Sequence, residues 1–379
     1  MTVEPLGTSD VFPAAAKSTY LDSASIALMH AGAARLIVDW QQRLADDGTA
    51  VFSERDEVGV FDRLAAEASR LFNTSAENIA GGSSETTLMA SLAWGLMPPR
   101  GSTIVATDIT HPSTVYPWMR VAEHTGAEMR WAKSENDYVD PDAIADLIDE
   151  TTSVVCLSHV EYGTGQTYDL KRFADAAHAH GAILVVDATQ SAGQMPIDVD
   201  GSGVDAIATS CYKWLCGPFG TGFMALSPAL QKLSPGIVGW RSHHDMWDFE
   251  ADRLTYADSA KRFEFGTMAY GTVAGAAEVV GYLADVGVER IRDHNRALAD
   301  MLIEGLRERG AEVLSPADPA QRSATVAARF GDVDSVEVAR RLKAENVFLS
   351  QRRDFLRFSP HLFNGAHDIE RALAALGDL

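Results

Sequence analysis

Cysteine is scarce in this sequence, and its scarcity limits the kinds of structure to expect. Only three of the 379 residues are cysteine, at positions 156, 211 and 216, and no two of them form a C-x-x-C pair. Cys156 lies in an apolar, strand-like run, where a buried thiol is the usual arrangement. A structure built on disulfide bonds is not expected, and a reducing cytoplasm is the predicted compartment.

Basic residues and long apolar runs are also few. The chain has 32 Lys and Arg against 53 Asp and Glu, a formal net charge of −21. We expect no nucleic-acid partner, because nucleic acids are bound by basic residues that neutralise phosphates. No window approaches the roughly 18 uninterrupted apolar residues of a membrane span. Residues 1–10 lack the basic patch and apolar run of a signal peptide, so neither membrane association nor secretion is expected.

Short apolar runs alternate with helical patterns through the middle of the chain. The expected strands are residues 103–107, 154–158, 183–187, 204–209 and 222–226, with helices at 141–148 and 170–180 between them. This alternation predicts βαβ units and a mostly parallel sheet covered by helices. Residues 48–49 and 53–58 carry no clear signal and are expected to be loop.

The pattern changes near residue 281. A long amphipathic helix at 288–309 is followed by a strand-like run at 323–330 and by helices at 335–346 and 367–376. The sequence therefore predicts a large domain over 16–280 and a smaller α+β domain over 281–379. The N-terminal arm, 1–15, is assigned to the smaller domain.

An acid at the end of one strand and a lysine just past the next are the most informative pair in the chain. Asp187 closes the apolar run 182–187, and Lys213 follows the run 204–209 after Ser210-Cys211-Tyr212. Pyridoxal phosphate needs an amine to form a Schiff base and a carboxylate to keep its pyridine nitrogen protonated. A solvated surface lysine is the alternative, and the flanking residues favour the cofactor.

Two further segments fit a flat, phosphate-bearing ligand. The segment 81–87, Gly-Gly-Ser-Ser-Glu-Thr-Thr, precedes a helical pattern, so its backbone N–H groups can face an anion. A simple helix cap explains it equally well when it is taken alone. His111 follows a strand and can stack on a ring at the carboxyl edge of the sheet, although an ordinary loop histidine is the alternative.

Two other motifs do not carry the chemistry that they suggest. The segment 217–222, Gly-Pro-Phe-Gly-Thr-Gly, precedes a strand rather than a helix and has no P-loop lysine, so we interpret it as close backbone packing. The run His243-His244-Asp245 has no further ligand cluster, and we expect no metal site.

With these pieces the chain resembles the class V aminotransferase family. This group of fold type I pyridoxal-phosphate enzymes includes cysteine desulfurases, C–S lyases, isopenicillin N epimerase-like proteins and kynureninases. The likeness runs from residues 20–24 to residues 356–361 and is most specific between Asp187 and Gly222. It implies an α/β fold with a mostly parallel seven-stranded sheet in a large domain and a smaller α+β C-terminal domain. It also implies a homodimer with active sites at the subunit interface.

The resemblance implies a role for each matching cofactor residue. Lys213 would form the Schiff base and move protons at Cα, and Asp187 would pair with the pyridinium nitrogen. His111 would stack on the ring, and Gln190 would bond its phenolic oxygen. The phosphate would be bound by small polar residues, namely Ser84, Glu85, Thr86 and Ser210, together with Thr267 of the neighbouring subunit.

Three residues are predicted to contact substrate. Arg357 matches the arginine that clamps the α-carboxylate, a task suited to a bidentate guanidinium. An exposed arginine beside a helix is the alternative. Tyr162 stands where desulfurases have an asparagine near that carboxylate. Arg241 is either a residue of the active-site mouth or a surface charge.

One departure from the family bears on the reaction. Desulfurases carry a cysteine on a mobile loop shortly before the clamping arginine, and residues 347–355 contain none. We therefore expect a pyridoxal-phosphate enzyme that acts on an amino acid or cysteine S-conjugate by C–S β-elimination. Transamination is the first alternative, followed by epimerisation or decarboxylating chemistry. A non-catalytic cofactor-binding scaffold is the least favoured.

Overall fold

A seven-stranded sheet forms the centre of the larger part of the chain. The computed structural model describes residues 3–331 and 333–377. The strand order is β2-β8-β7-β6-β5-β3-β4, where β2 is Ile79–Gly82, β3 Thr103–Thr107, β4 Glu128–Ala132, β5 Thr152–Ser158, β6 Ile183–Asp187, β7 Ala206–Ser210 and β8 Gly222–Leu226. Strands β3 to β7 run parallel to one another, and β8 runs antiparallel to its neighbours β7 and β2. The predicted α/β fold class is confirmed.

Helices cover both faces of this sheet. The helices before and within it are α1 Ala31–Asp47, α2 Glu54–Val58, α3 Asp62–Phe72, α4 Glu85–Leu96, α5 Pro112–Thr125, α6 Pro141–Ala145, α7 Leu170–Ala179 and α8 Val199–Ser202. Neighbouring residues of one strand face different cores. Leu184 and Val186 pack into the core on one side, and Val185 packs with Trp118 on the other. Because both faces of β6 are buried, its sequence is an uninterrupted apolar run up to Asp187.

A smaller antiparallel sheet follows, in the order β12-β13-β10-β9. Its strands are β9 Glu312–Val313, β10 Val326–Arg329, β12 Ser350–Arg352 and β13 Phe355–Phe358. The helices of this part are α9 Tyr270–Val286, α10 Val288–Glu308, α11 Ser335–Ala344 and α12 Ala366–Leu376. The long helix expected at 288–309 is therefore present and ends one residue earlier.

The N-terminal segment is joined to the C-terminal part of the chain by a separate two-stranded sheet. Strand β1, Thr19–Tyr20, pairs in parallel with β11, Val347–Phe348. Helix α9 spans residues 280 and 281, and Gly287 separates it from α10. The division into domains over 16–280 and 281–379 stays a prediction.

The segment expected to be loop at 53–58 is instead a short helix. Ser53 caps α2, and its side chain and the Asp56 carboxylate bond each other's backbone N–H groups. This Ser-x-x-Asp capping box is a known helix-start signal that the sequence interpretation overlooked. In the described part of the chain, no helix has both the length and the apolar content needed to cross a membrane.

Candidate active site

Four parallel strands position functional side chains at one edge of the sheet. His111 lies beyond the end of β3, Tyr162 beyond β5, Asp187 at the end of β6 and Lys213 beyond β7. All four line a cavity of about 380 Å³, which we call the cofactor pocket. Open α/β sheets bind their ligands at this carboxyl edge.

The carboxylate of Asp187 is held in one orientation. Thr114 Oγ1 donates a 2.6 Å hydrogen bond to Oδ2, and the backbone N–H of Thr189 donates one of 2.8 Å to Oδ1. Asp187 is buried, as is Thr114. The carboxylate therefore presents a fixed negative charge to the pocket, as a pyridinium partner requires.

Lys213 is only 8% exposed and shares the pocket with this acid. Burial lowers the pKa of Lys213 to about 8, although the negative charge of Asp187 opposes the shift. The positive charge of Arg357 lowers it further. An amine with this pKa is partly neutral near pH 7–8, and a neutral amine is the nucleophile that attacks an aldehyde.

The start of α4 provides donors at the other end of the pocket. The backbone N–H of Glu85 donates to Ser210 Oγ at 2.9 Å, and Ser84 Oγ accepts from the N–H of Thr87 at 3.1 Å. Glu85, Thr86 and Ser210 line the pocket, whereas the Ser84 side chain is engaged as the helix cap. Ser84 is therefore the helix cap, whereas phosphate binding by Glu85, Thr86 and Ser210 stays a prediction.

The close packing around Gly222 explains why glycine is needed in the segment after Lys213. It pairs with Ser210 in the sheet, and a Cβ there would lie 2.4 Å from the Thr209 carbonyl oxygen and about 3 Å from the backbone of Ser84 and Glu85. Only glycine allows the start of α4 to approach β7 this closely. The packing role expected for this segment agrees with the geometry.

Two buried polar atoms of the cofactor pocket lack a partner among the described residues. They are Glu85 Oε1 and Thr189 Oγ1. Burial, followed by the charge of Asp187, raises the pKa of Glu85 well above its usual value. Unsatisfied buried polar atoms are rare, and here they indicate that the pocket is built for a polar ligand.

His111 offers a flat, neutral ring. It packs edge-on against Tyr162, with ring centroids 5.3 Å apart and planes at 88°. Burial, and next the charge of Lys213, lowers the pKa of His111, so the imidazole is uncharged near pH 7. A neutral ring at this edge can stack on an aromatic ligand without adding charge.

Gln190 is fixed at both ends of its amide. The Trp214 indole N–H donates to Oε1 at 2.8 Å, and Nε2 donates to the Ala24 carbonyl at 3.0 Å. One amide N–H remains free of these contacts. Gln190 lines the pocket and can use that hydrogen toward a ligand oxygen, as predicted for it.

Arg357 lies inside strand β13 and is 1% exposed, so the alternative of an exposed arginine beside a helix is wrong. Nη1 donates to the Tyr162 carbonyl at 2.7 Å and Nη2 donates to Ser25 Oγ at 2.6 Å, while Nε has no partner among the described residues. Burial, and next the charge of Arg352, lowers the pKa of Arg357 to about 10. A buried guanidinium with an unsatisfied N–H suits a carboxylate ligand.

Ser84 and Arg357 lie beside the cofactor pocket without lining it, and two other predicted residues are not brought to it within one chain. Arg241 is buried, which rules out the surface-charge alternative; its Nη1 donates to the Glu57 carbonyl at 2.7 Å and its Nη2 lies 3.7 Å from Glu264 Oε2. Thr267 is exposed in the loop before α9. The partners that hold Arg241 are distant in sequence, so no local pattern could reveal them. The role of Thr267 at the neighbouring subunit's phosphate and the substrate contact of Arg241 remain predictions.

Three further residues belong to the site and were not singled out from sequence. Thr114 holds Asp187, Tyr212 lines the pocket beside Lys213, and Ser25 bonds Arg357. Each directly adjoins a quoted motif, and that proximity is the only signal the sequence offers for them.

Comparison with known proteins then tests the resemblance. The sequence profile described as Aminotransferase class-V matches residues 60–353. The chain belongs to the class V aminotransferase family. It is 29% identical over 364 residues to an uncharacterized aminotransferase, YcbU, of Bacillus subtilis, covering 96% of this chain and 95% of that protein.

One further sequence relative and one solved structure are also similar to this chain. The chain is 32% identical over 232 residues to a probable cysteine desulfurase of Methanothermobacter thermautotrophicus, covering 61% of this chain and 57% of that protein. Its fold matches the cystine C–S lyase C-DES, solved in complex with the reaction product cysteine persulfide. That match has a TM-score of 0.88 and 24% identity and covers 97% of this chain and 99% of the other.

This class V aminotransferase is a pyridoxal-phosphate enzyme. The pocket fits that cofactor: Lys213 would carry it, Asp187 would face its nitrogen, His111 its ring, and the start of α4 with Ser210 its phosphate. When bound, the cofactor supplies an electron-withdrawing ring that stabilises negative charge at the substrate Cα.

Proposed function

We propose that this enzyme cleaves a C–S bond in a cysteine S-conjugate by β-elimination, releasing a thiol, pyruvate and ammonia. The observation that carries the proposal is the burial of every cysteine: Cys156, Cys211 and Cys216 are all inaccessible. Burial raises the pKa of Cys211 to about 12 and raises the pKa of the other two thiols as well. None can act as a thiolate that receives sulfur.

The segment that carries a cysteine loop in desulfurases has a different form here. Strands β12 and β13 are joined by the tight turn Arg353-Asp354, and Arg353 adopts a left-handed φ of 46°. A hairpin this short leaves no mobile loop that reaches the pocket. Sulfur therefore leaves on the substrate's own thiol, because the chain provides no acceptor.

The positions of the site residues fit this chemistry. Arg357 holds the substrate carboxylate, which leaves Cα facing Lys213. The Lys213 amine takes the Cα proton, and the electron pair forms the Cα–Cβ double bond as the Cβ–S bond breaks. The leaving sulfur takes a proton and departs as a thiol, and water converts the remaining fragment into pyruvate and ammonia.

The comparisons support a sulfur-bearing substrate. C-DES acts on cystine by name, and the archaeal relative is named a probable cysteine desulfurase. Both reactions break a C–S bond of a cysteine derivative. Transamination, which the name of YcbU suggests, remains the alternative outcome of the test.

The proposal includes a homodimer that acts in the cytoplasm on a small amino-acid substrate. Its basis is the loop at Thr267, which is exposed and lies outside its own chain's pocket, as a residue that completes a second subunit's phosphate site would be. The low cysteine content and acidic surface agree with a reducing cytoplasm.

The deciding experiment incubates the purified holoenzyme with cysteine S-conjugates and no added keto acid. Equal yields of thiol, pyruvate and ammonia over many turnovers are expected. An aminotransferase would instead stop after one turnover, convert the cofactor to its amine form and resume when a keto acid is added. That second pattern would overturn the proposal. Lys213→Ala, which removes the base, is the control for non-enzymatic release.

A further inference from the structure

A second cavity of about 430 Å³ adjoins the cofactor pocket; we call it the side chamber. Tyr162 lines both cavities, and its backbone carbonyl accepts a hydrogen bond from Arg357. Ile109 and Phe355 form apolar walls of the side chamber. A substrate whose carboxylate is held by Arg357 can therefore extend its side chain past Tyr162 into this space.

The two arginines of the side chamber differ in their partners. Arg353 is paired with Asp137, its Nη1 lying 2.8 Å from Oδ1. Among the residues that the structure describes, Arg352 bonds only neutral oxygens: Nη1 donates to the Gln351 carbonyl and Nη2 donates to Ser25 Oγ, both at 2.9 Å. A guanidinium has five N–H donors, so most of those on Arg352 remain for a ligand.

Ser25 joins Arg352 to the carboxylate clamp. Its Oγ accepts from Nη2 of Arg352 at 2.9 Å and from Nη2 of Arg357 at 2.6 Å. The Ser25 and Ser350 hydroxyls are 2.6 Å apart, and Ser350 donates to Asp22 at 2.6 Å. This shared hydroxyl fixes the spacing of the two guanidiniums. One can bind the α-carboxylate while the other faces the side chamber.

Glu161, on the wall of the side chamber, does not cancel the charge of Arg352. Its Oε1 accepts from Thr107 Oγ1 at 2.8 Å and from the Tyr168 hydroxyl at 3.1 Å, and its Oε2 has no partner among the described residues. The residue is 1% exposed, and burial raises the pKa of Glu161 to about 8. A carboxyl group that keeps its proton adds no negative charge beside Arg352.

We propose that the side chamber binds an acidic group at the far end of the substrate side chain and that Arg352 recognises it. The chamber offers a guanidinium that has no carboxylate partner among the described residues, which suits a carboxylate or sulfonate. This inference rests on the proposed function, because the acidic group is taken to be part of the cysteine S-conjugate.

The test compares two substrates that differ in charge alone. S-carboxymethylcysteine carries a distal carboxylate, and S-carbamidomethylcysteine carries an amide of the same size. The holoenzyme should prefer the acid at least about tenfold in kcat/KM, mainly through KM, because a charged hydrogen bond to arginine adds this much. Equal values for the two compounds would overturn the proposal without any variant.

Two single-residue variants then test whether Arg352 causes the preference for the acid over the amide. Arg352→Gln should reduce the acid-to-amide ratio to below about two, whereas Arg353→Gln, whose charge is already matched by Asp137, should change it less than about threefold. An unchanged ratio in Arg352→Gln would mean that Arg352 only supports Arg357 through Ser25. An equal loss in both variants would refute the assignment to Arg352.

The same compounds separate this proposal from the reaction itself. If neither is cleaved, C–S elimination fails, and affinity is measured from the change in cofactor absorbance on titration. A tenfold tighter binding of the acid would still support the side-chamber site. Equal affinity, or no binding of either compound, would overturn it.

Discussion

His361 Nε2 donates a 2.8 Å hydrogen bond to the carbonyl of Trp214, the residue that follows Lys213. Asn295 donates to the other ring nitrogen of His361 at 3.0 Å. Burial lowers the pKa of His361 to about 3, so the ring is neutral and its single N–H belongs to the Trp214 carbonyl. The segment after β13 thus fixes the backbone beside the cofactor lysine.

Removing this donor should weaken both the fold and the cofactor site. His361→Leu leaves the buried Trp214 carbonyl with only a 3.9 Å contact from the Cys216 thiol, a weak donor, at a cost of about 1–3 kcal/mol. We expect a lower melting temperature and a weaker cofactor affinity, measured by thermal unfolding and by cofactor titration. His361→Gln, which retains an N–H donor, should lose less of both. Equal losses in the two variants would show that the hydrogen bond is not what positions this loop.

The sequence was most informative where strands end at the site. Asp187 and Lys213 lie at the strand ends expected for them, because a fully buried parallel strand is a continuous apolar run whose end is easy to recognise. The helix start at residues 84–86 was equally clear, because Ser84 caps the helix in a standard way.

Residues that are brought together by long-range contacts have no comparable signal in the sequence. Arg352 and Arg357 meet at Ser25, which is more than 300 positions away in the sequence, and only β13 pairing with β12 brings the arginines together. Arg241 is buried against Glu264 by the same kind of long-range packing. Hydrogen bonds between segments that are distant in sequence produce no periodic pattern, so they cannot be predicted from a single sequence.

Capture of the cofactor by the apoenzyme should depend on pH through Lys213. Burial lowers the pKa of Lys213 to about 8, and Arg357 contributes to that shift. Because only the neutral amine attacks the aldehyde, the capture rate should rise with pH around a midpoint near 8. Arg357→Gln should move the midpoint upward, whereas the exposed Arg340→Gln should not. The rate is followed by stopped-flow absorbance, and a midpoint near 10.5 would contradict the prediction.

The buried acid Glu161 should make stability fall as pH rises. Its folded-state pKa is raised to about 8, above the ordinary glutamate value, so the folded protein keeps a proton that the unfolded chain has lost. Stability is therefore greatest below about pH 4.5 for this group and decreases between there and pH 8, by up to about 1.4 kcal/mol per pH unit.

Glu161→Gln isolates this contribution. The amide keeps an acceptor for Thr107 and Tyr168 but does not titrate. The free energy of unfolding of the variant, minus that of the natural protein, should therefore increase from pH 5 to pH 8, because only the natural protein loses stability over this range. Chemical denaturation of both holoenzymes at several pH values measures this difference. A difference that is constant with pH would mean that Glu161 ionises normally in the fold.

Thr267 should act on the cofactor of the partner subunit. If its hydroxyl binds that phosphate, Thr267→Val should weaken cofactor affinity about tenfold, as expected for a hydrogen bond to a charged group. A mixed dimer of Lys213→Ala and Thr267→Val subunits distinguishes the two possible arrangements. Across the interface, the intact Lys213 meets an intact Thr267 from the Lys213→Ala subunit, so the single lysine-bearing site should bind cofactor with normal affinity.

Action within one chain would give the opposite result. The intact Lys213 would then share its site with the valine of its own chain, and the mixed dimer would show the weakened affinity of the Thr267→Val homodimer. Cofactor titration of affinity-tagged mixed dimers separates these outcomes. Thr272→Val is a useful control, because Thr272 lies in α9 and its hydroxyl bonds Thr221 at 2.6 Å within the same chain. Normal affinity in the mixed dimer is the result that requires two subunits for each active site.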